Sequence, residues 1–98
     1  MTVSDEALER TVGLFSACAH PARLTVLLLL AEGQARSVSE LQEATGLSQT
    51  ATSHQLRVLR DAHLVTATKV GRRVLYELAD HHVAHIVKDA VVHAGEGR

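Results

Sequence analysis

The chain has 98 residues, of which 46% are hydrophobic but only 2% are Phe, Tyr or Trp, with 10 basic and 11 acidic side chains. This length suits one domain, and it excludes two domains or a large catalytic scaffold such as a barrel or a doubly wound sheet. Because Phe15 and Tyr76 are the only large aromatic residues, we expect a mainly α-helical domain over 1–98 with a core of Leu, Val, Ile and Ala.

The sequence is typical of a cytoplasmic protein. Its single cysteine, Cys18, excludes an intramolecular disulfide framework and fits a reducing compartment. The apolar stretch 24–31 is far shorter than the roughly 20 residues that a membrane span needs. The acidic start of the chain is unlike a signal peptide.

Two helices are predicted at the start of the chain. Ser4 is a potential N-cap, apolar residues follow at helical spacing, and His20-Pro21 ends this first helix. Pro21 suits the first turn of a second, leucine-rich helix that stops near Gly33. Because that helix is apolar on most sides, we expect it to be the most buried element.

A helix-turn-helix pattern covers residues 37–60. Ser37 and Glu40 have the spacing of a capping box, and they open a short helix that ends at Gly46. Ser48 is a potential N-cap for the helix that follows. Two helices joined by a tight glycine-containing turn are the usual form of this DNA-binding motif.

The second helix of the motif is predicted to have one apolar and one polar face. Its inward stripe is Thr52, Leu56 and Leu59. Short polar side chains and amides on the opposite face can reach base edges in a major groove, and an arginine there suits phosphate. The predicted DNA-reading face consists of Gln49, Thr50, Ser53, His54 and Arg57.

A β-hairpin with a basic tip is predicted over 64–79. Residues 49–76 hold five basic residues against one acidic residue, a local charge of +4 in a chain whose net charge is −1. A local basic patch is what phosphate binding requires. We expect Lys69, Arg72 and Arg73 to contact the DNA backbone beside the recognition helix.

The last predicted helix is capped by Asp80, ends at Gly95 and carries two pairs of potential metal ligands. Asp80 and His82 lie near its start, and His93 and Glu96 lie near its end. Positions 82 and 93 share a helix face but lie roughly 16 Å apart along the axis. One ion, with ligands at about 2 Å, therefore cannot bind both in one chain.

An antiparallel copy of the same helix would bring the two pairs together. If two copies cross near residues 87–88, position 82 faces position 93 of the partner and position 80 faces position 96. The spacing thus predicts two equivalent sites per homodimer, each with two imidazole nitrogens and two carboxylate oxygens that suit tetrahedral zinc.

The predicted order of elements is α-α-α-α-β-β-α, a winged helix-turn-helix that forms a homodimer. We expect the helices over 4–19 and 81–94 to form the dimer interface. In a lone protomer, the apolar side chains expected to be exposed are Leu8, Val12, Ile86 and Val87.

Along nearly its whole length the sequence resembles the ArsR/SmtB family of metal-responsive transcriptional repressors. The similar segments are Ala19-His20-Pro21-x-Arg23-Leu24, Ser48-Gln49 with Ser53-His54-Gln55-Leu56, Gly71-Arg72 with Tyr76-x-Leu78, and the set Asp80, His82, His93 and Glu96. The resemblance implies that the metal-free dimer binds a palindromic operator and that zinc weakens this binding. It adds Gln55 to the DNA-binding residues. It also implies that His63 lies next to the ligand His93 and couples it to the DNA-reading unit.

The sequence departs from many family members at the cysteine ligands, which are replaced here by Ser37 and Ser39. We therefore do not expect thiolate sensing, and we interpret Cys18 as a core residue. His81 and His85, spaced i,i+4, are possible accessory metal ligands, or solvated surface residues.

Three alternatives to a zinc sensor follow from the same residues. A nickel or cobalt sensor of the same fold stays open, because octahedral sites need extra ligands. A structural zinc dimer without a DNA role is disfavoured by the basic segment. A zinc hydrolase is not expected, because four protein ligands close the site.

Overall fold

The computed structural model describes residues 1–96, so residues 97 and 98 of the predicted domain 1–98 lie outside the described residues. The elements are α1 (Asp5–Cys18), α2 (Pro21–Leu30), β1 (Arg36–Ser37), α3 (Val38–Thr45), α4 (Gln49–Asp61), β2 (Val65–Val70), β3 (Arg73–Leu78) and α5 (His81–Glu96). The order matches the predicted one, with the short strand β1 as the only addition among these residues.

Local sequence signals set the starts of three helices. Ser4, Ser37 and Ser48 cap α1, α3 and α4, and each side-chain oxygen accepts a hydrogen bond from a backbone N–H three residues on. Glu40 completes the predicted capping box, because its carboxylate accepts from the N–H of Ser37. At the end of α3, Gly46 takes a left-handed conformation (φ 74°), which glycine adopts without a steric penalty.

The predicted break between α1 and α2 is confirmed. His20 is extended, and its Nδ1 accepts a hydrogen bond from the backbone N–H of Ala22 at 3.2 Å. Among residues 1–96 no single helix is long and apolar enough to cross a membrane. Only α1 and α2 taken together reach that length and composition, and they are bent by 96°.

Helix α2 lies at the centre of the core, as predicted. Val26 and Leu27 are fully buried, and Leu30 is nearly so. Helix α4 packs on this centre through the predicted stripe of Thr52, Leu56 and Leu59. That packing leaves the opposite side of α4 facing outward.

Two expectations for α5 are wrong. Val87 is 1% exposed, and Ile86 is half-buried, because α5 packs on α2 through Val83 and Val87. The helix also continues through Gly95 to Glu96. A glycine in an exposed helix costs only about 1 kcal/mol relative to alanine, which is too little to end the helix there.

The strands form one antiparallel sheet in the order β1-β3-β2. Strands β2 and β3 make the predicted hairpin, whose two-residue turn has Gly71 in a left-handed conformation (φ 63°). Strand β1 pairs Ser37 with Leu75 of β3. Because Ser37 also caps α3, the hairpin is attached directly to the start of the helix-turn-helix.

Candidate DNA-binding surface and metal ligands

The outward side of α4 carries a group of exposed polar side chains. The burial of Thr52, Leu56 and Leu59 fixes which side of the helix this is. Five of the predicted DNA-binding residues are exposed there, namely Gln49, Thr50, Ser53, His54 and Arg57. Their arrangement suits a helix that enters a major groove with this side towards the bases.

Gln55 is separate from that group. It lies roughly 160° around the helix from Ser53, at 100° per residue, and it is half-buried. Its Oε1 accepts a hydrogen bond from Nη1 of Arg23 at 3.1 Å. The sequence pattern could not reveal this contact, because Arg23 lies 32 positions earlier in the chain.

The basic side chains of the hairpin differ in their surroundings. Lys69 and Arg72 are exposed. Arg73 is exposed too, but its Nη2 lies 2.9 Å from Oε1 of Glu40 on α3. Hydrogen bonds from Ser37, and to a lesser degree the charge of Arg73, hold the pKa of the Glu40 carboxyl below its ordinary value. A negative charge therefore stands beside one of the predicted phosphate-binding groups.

The two predicted metal-ligand pairs lie at opposite ends of α5. Oδ1 of Asp80 accepts hydrogen bonds from the N–H groups of His82 and Val83, at 2.9 and 3.2 Å, so this carboxylate caps the helix and is held in place. His82, His93 and Glu96 are exposed. Within residues 1–96 of one protomer, no three potential ligands come close enough to hold a metal ion. Each predicted pair could supply at most two ligands to one ion.

Two further histidines lie beside the Asp80 end of α5. The ring centroids of His81 and His82 are 4.1 Å apart, and those of His81 and His85 are 5.9 Å apart with the rings edge-on. Both His81 and His85 are exposed. The i,i+4 pair therefore has the spacing at which two imidazoles can approach one ion.

His63 and Cys18 have contrasting surroundings. His63 is an exposed residue between α4 and β2 with a left-handed backbone (φ 60°), and it is the sole non-glycine residue among 1–96 with a positive φ. Cys18 is half-buried against the core. Burial raises the pKa of its thiol, and the nearby Arg23 only partly opposes this. The cysteine thus behaves as a core residue, as predicted.

Apolar side chains on the two terminal helices lie open to solvent in the protomer. Leu8, Val12 and Phe15 form one stripe along α1, and more than half of each side chain is exposed. Val91 and Val92, near the end of α5, are 47% and 59% exposed. A second copy of the chain could cover these residues.

Known proteins resemble this chain in sequence. Residues 20–67, which run from the start of α2 into β2, match the family model described as "Bacterial regulatory protein, arsR family". The HTH-type transcriptional repressor SmtB of Mycobacterium tuberculosis H37Rv is 48% identical over 91 residues, covering 93% of this chain and 67% of that protein. The HTH-type transcriptional regulator NmtR of the same strain is 39% identical over 92 residues, covering 94% and 76%.

A solved structure shows the same architecture. The homodimeric winged helix-turn-helix DNA-binding domain of a possible ArsR-family regulator from Mycobacterium bovis matches with a TM-score of 0.87 and 33% identity, over 99% of this chain and 92% of that one. This similarity confirms the predicted winged helix-turn-helix fold.

Proposed function

Because this chain belongs to the ArsR family of bacterial regulatory proteins, we propose that it is a homodimeric, metal-sensing transcriptional repressor, and that zinc weakens its binding to a palindromic operator. The observation that carries the proposal is the exposed polar side of α4 beside a basic hairpin, in a chain 48% identical to a protein named as a repressor. The relatives are named as transcriptional regulators, the solved neighbour is described as a possible one, and none of them is described as an enzyme. A DNA-binding regulator of this kind acts in the cytoplasm.

The homodimer is supported by the exposed apolar surface of the protomer. Leu8, Val12 and Phe15 on α1, with Val91 and Val92 on α5, would be buried by a second copy. Burial of apolar surface is the main favourable contribution to such association. The solved domain from Mycobacterium bovis is described as homodimeric.

The donor set of α5 fits a regulatory divalent cation. Asp80 and His82 of one protomer, with the partner's His93 and the partner's Glu96, would supply two nitrogens and two oxygens, as tetrahedral zinc prefers. The hydrogen bonds to Oδ1 hold the Asp80 carboxylate in place before any ion arrives. A bound ion would cross-link the two α5 helices.

The cross-link offers a physical reason for weaker DNA binding. A palindromic operator presents half-sites about one DNA turn, roughly 34–36 Å, apart. Fixing the α5 helices against each other fixes the separation of the two α4 helices, and a dimer held away from the required spacing binds less tightly. Linkage then requires DNA to weaken metal binding by the same factor.

Nickel or cobalt is a second candidate ligand. The rings of His81 and His85 are 5.9 Å apart at the Asp80 end of α5, and they could add ligands to reach six-fold coordination. If so, a double His81→Ala/His85→Ala variant loses its response to nickel or cobalt and keeps its response to zinc. If the protein responds to zinc alone, nickel and cobalt change the operator affinity of neither the wild type nor this variant.

The experiment that tests the proposal is a metal-dependent DNA-binding titration. The operator is selected from a library of randomised duplexes with the metal-free protein, and its affinity is measured by fluorescence anisotropy. Zinc, nickel and cobalt are then added separately at saturating concentration. We expect zinc to weaken the complex at least several-fold, since allosteric couplings are typically about 1–3 kcal/mol.

A further inference from the structure

Arg23 joins three helices through one side chain. It lies on α2, and its Nε donates to the backbone carbonyl of Ala17 in the last turn of α1 at 2.7 Å. Its Nη1 donates to Oε1 of Gln55 on α4 at 3.1 Å. Arg23 and Gln55 are both half-buried. The contact is therefore partly shielded from solvent, unlike the exposed side chains on the outward side of α4.

The carbonyl that Arg23 binds is a natural site for a cation. The last carbonyls of a helix have no partner within the helix, and they carry the negative end of its dipole. Ala17 is itself buried. Arg23 thus supplies the hydrogen-bond donor that the Ala17 carbonyl lacks within the helix. This bond holds the guanidinium at the end of α1.

The guanidinium is also planar and rigid, so its donors keep a fixed geometry relative to one another. With Nε held by Ala17, the direction in which Nη1 points is set. Gln55 can accept from it only over a limited range of orientations of α4 relative to the end of α1.

We propose that Arg23 and Gln55 are a positioning pair that fixes the recognition helix α4 relative to the dimerisation helix α1. Gln55 then supports operator binding through Arg23 and not through contact with a base. The inference rests on the proposed function, because it assigns α1 to the dimer interface and α4 to the DNA. Through this pair, a change in the arrangement of the two protomers would change the orientation of the DNA-reading side chains on α4.

Two substitutions of Gln55 distinguish the positioning role from base reading. Gln55→Glu keeps the shape and the oxygen acceptor for Arg23. Gln55→Met keeps the length but has no comparable acceptor. The pair predicts that Gln55→Glu binds the operator within about threefold of wild type, whereas Gln55→Met weakens it about tenfold, since a hydrogen bond to a charged group contributes about 1.5–3 kcal/mol. A base-reading glutamine predicts a loss in both.

Base preference and metal response give readouts that general destabilisation would not produce. We expect Gln55→Met to bind every single-base-pair variant of the operator in the same order of preference as wild type. We also expect a smaller ratio between the dissociation constants with and without zinc. Without the Arg23–Gln55 hydrogen bond, the orientation of α4 depends less on whether the dimer has bound zinc. Thermal unfolding and the dimer mass are measured for each variant, and affinities are compared per folded dimer.

A double-mutant cycle tests whether the two residues act together. Arg23→Lys keeps the charge, but a lysine ammonium cannot reproduce the fixed fork that bridges Ala17 and Gln55. The double variant Arg23→Lys/Gln55→Met should bind the operator about as well as the weaker single variant.

Three results would overturn the positioning pair. They are additive losses in the cycle, equal losses in Gln55→Glu and Gln55→Met, or relaxed preference at one base pair in either variant. In each of these cases the wild-type protein still binds its operator and responds to zinc, so the proposed function survives. A wild-type dimer that selects no palindromic operator would overturn both.

Discussion

Nη2 of Arg73, at the start of the hairpin strand β3, donates to Oε1 of Glu40, in the first turn of α3, at 2.9 Å. The same carboxylate oxygen accepts from the N–H of Ser37 at 3.0 Å and so closes the capping box of α3. One acidic side chain therefore starts the helix-turn-helix and also holds an arginine of the hairpin. In the DNA complex, a phosphate would compete with Glu40 for Arg73.

Glu40→Gln should tighten DNA binding. Glutamine also completes a capping box, so the start of α3 is kept while the charge beside Arg73 is removed. Exposed ion pairs contribute little, so the gain in affinity should be no more than a few-fold at low salt. The matched control is Glu43→Gln, which removes the same charge from an exposed position on α3. An equal gain in both variants would show that the effect is only one of net charge.

The Glu40 carboxylate, held mainly by hydrogen bonds from Ser37 and less by Arg73, should respond to acid in a defined direction. Because the pKa of Glu40 is lowered in the folded protein, its contribution to stability is present at neutral pH and is lost as the pH falls through that lowered value. A thermal-unfolding series from neutral to acidic pH, compared between wild type and Glu40→Gln, should show the two curves converge only at the acidic end.

Arg72→Ala should weaken binding to all DNA sequences alike. If Arg72 contacts one phosphate, the slope of log affinity against log salt should fall by about 0.9. Gln49→Ala or Ser53→Ala should instead change which base pairs are preferred. Arg10→Ala is the control for lost charge, because it removes an exposed arginine outside the basic segment 49–76, on the side of α1 opposite Leu8 and Val12. An unchanged salt slope in Arg72→Ala would mean that the tip of the hairpin does not contact the backbone.

Val12→Glu should convert the dimer into monomers. Val12 lies at the centre of the exposed stripe of α1, and burying a carboxylate among apolar side chains is strongly unfavourable. Sedimentation at low micromolar concentration should give twice the 10.6 kDa protomer mass for wild type and a single protomer for the variant. Gly13→Glu adds the same charge on the same helix, away from the stripe and where a side chain meets open space. Its failure to dimerise would argue against the stripe as the interface.

The side chain of His63 should transmit part of the metal response. His63→Ala is expected to keep substantial zinc affinity and to show a smaller loss of operator affinity on adding zinc. Because residue 63 has a left-handed backbone, His63→Gly serves as a second variant that removes the imidazole without backbone strain. Both variants should respond alike. A full zinc response in both variants would show that His63 does not couple metal binding to DNA binding. The proposal that the protein is a zinc sensor would be unaffected.

Sequence patterns predicted the parts of the fold that depend on neighbouring residues. The caps at Ser4, Ser37 and Ser48 and the glycine turns were identifiable because their partners lie within a few positions. The burial of Val87 was mispredicted, because a helix pattern gives the apolar stripe but not the element that covers it.

Long-range contacts were not accessible from the same patterns. The strand β1 is two residues long and has no alternation to detect. The contacts Arg23–Gln55 and Glu40–Arg73 join residues 32 and 33 positions apart. The family resemblance placed Gln55, and charge placed Arg73, with the DNA-binding residues. Only the folded chain shows that each already has a partner within the protein.

The most direct test of the proposed sensor is the affinity of the wild-type dimer for its operator with and without saturating zinc, measured beside His93→Ala. Removing this imidazole from each chain takes one nitrogen from both predicted sites of the dimer. We expect zinc to weaken the wild-type complex at least several-fold and to leave the His93→Ala complex unchanged. A wild-type affinity that does not change with saturating zinc would contradict the account.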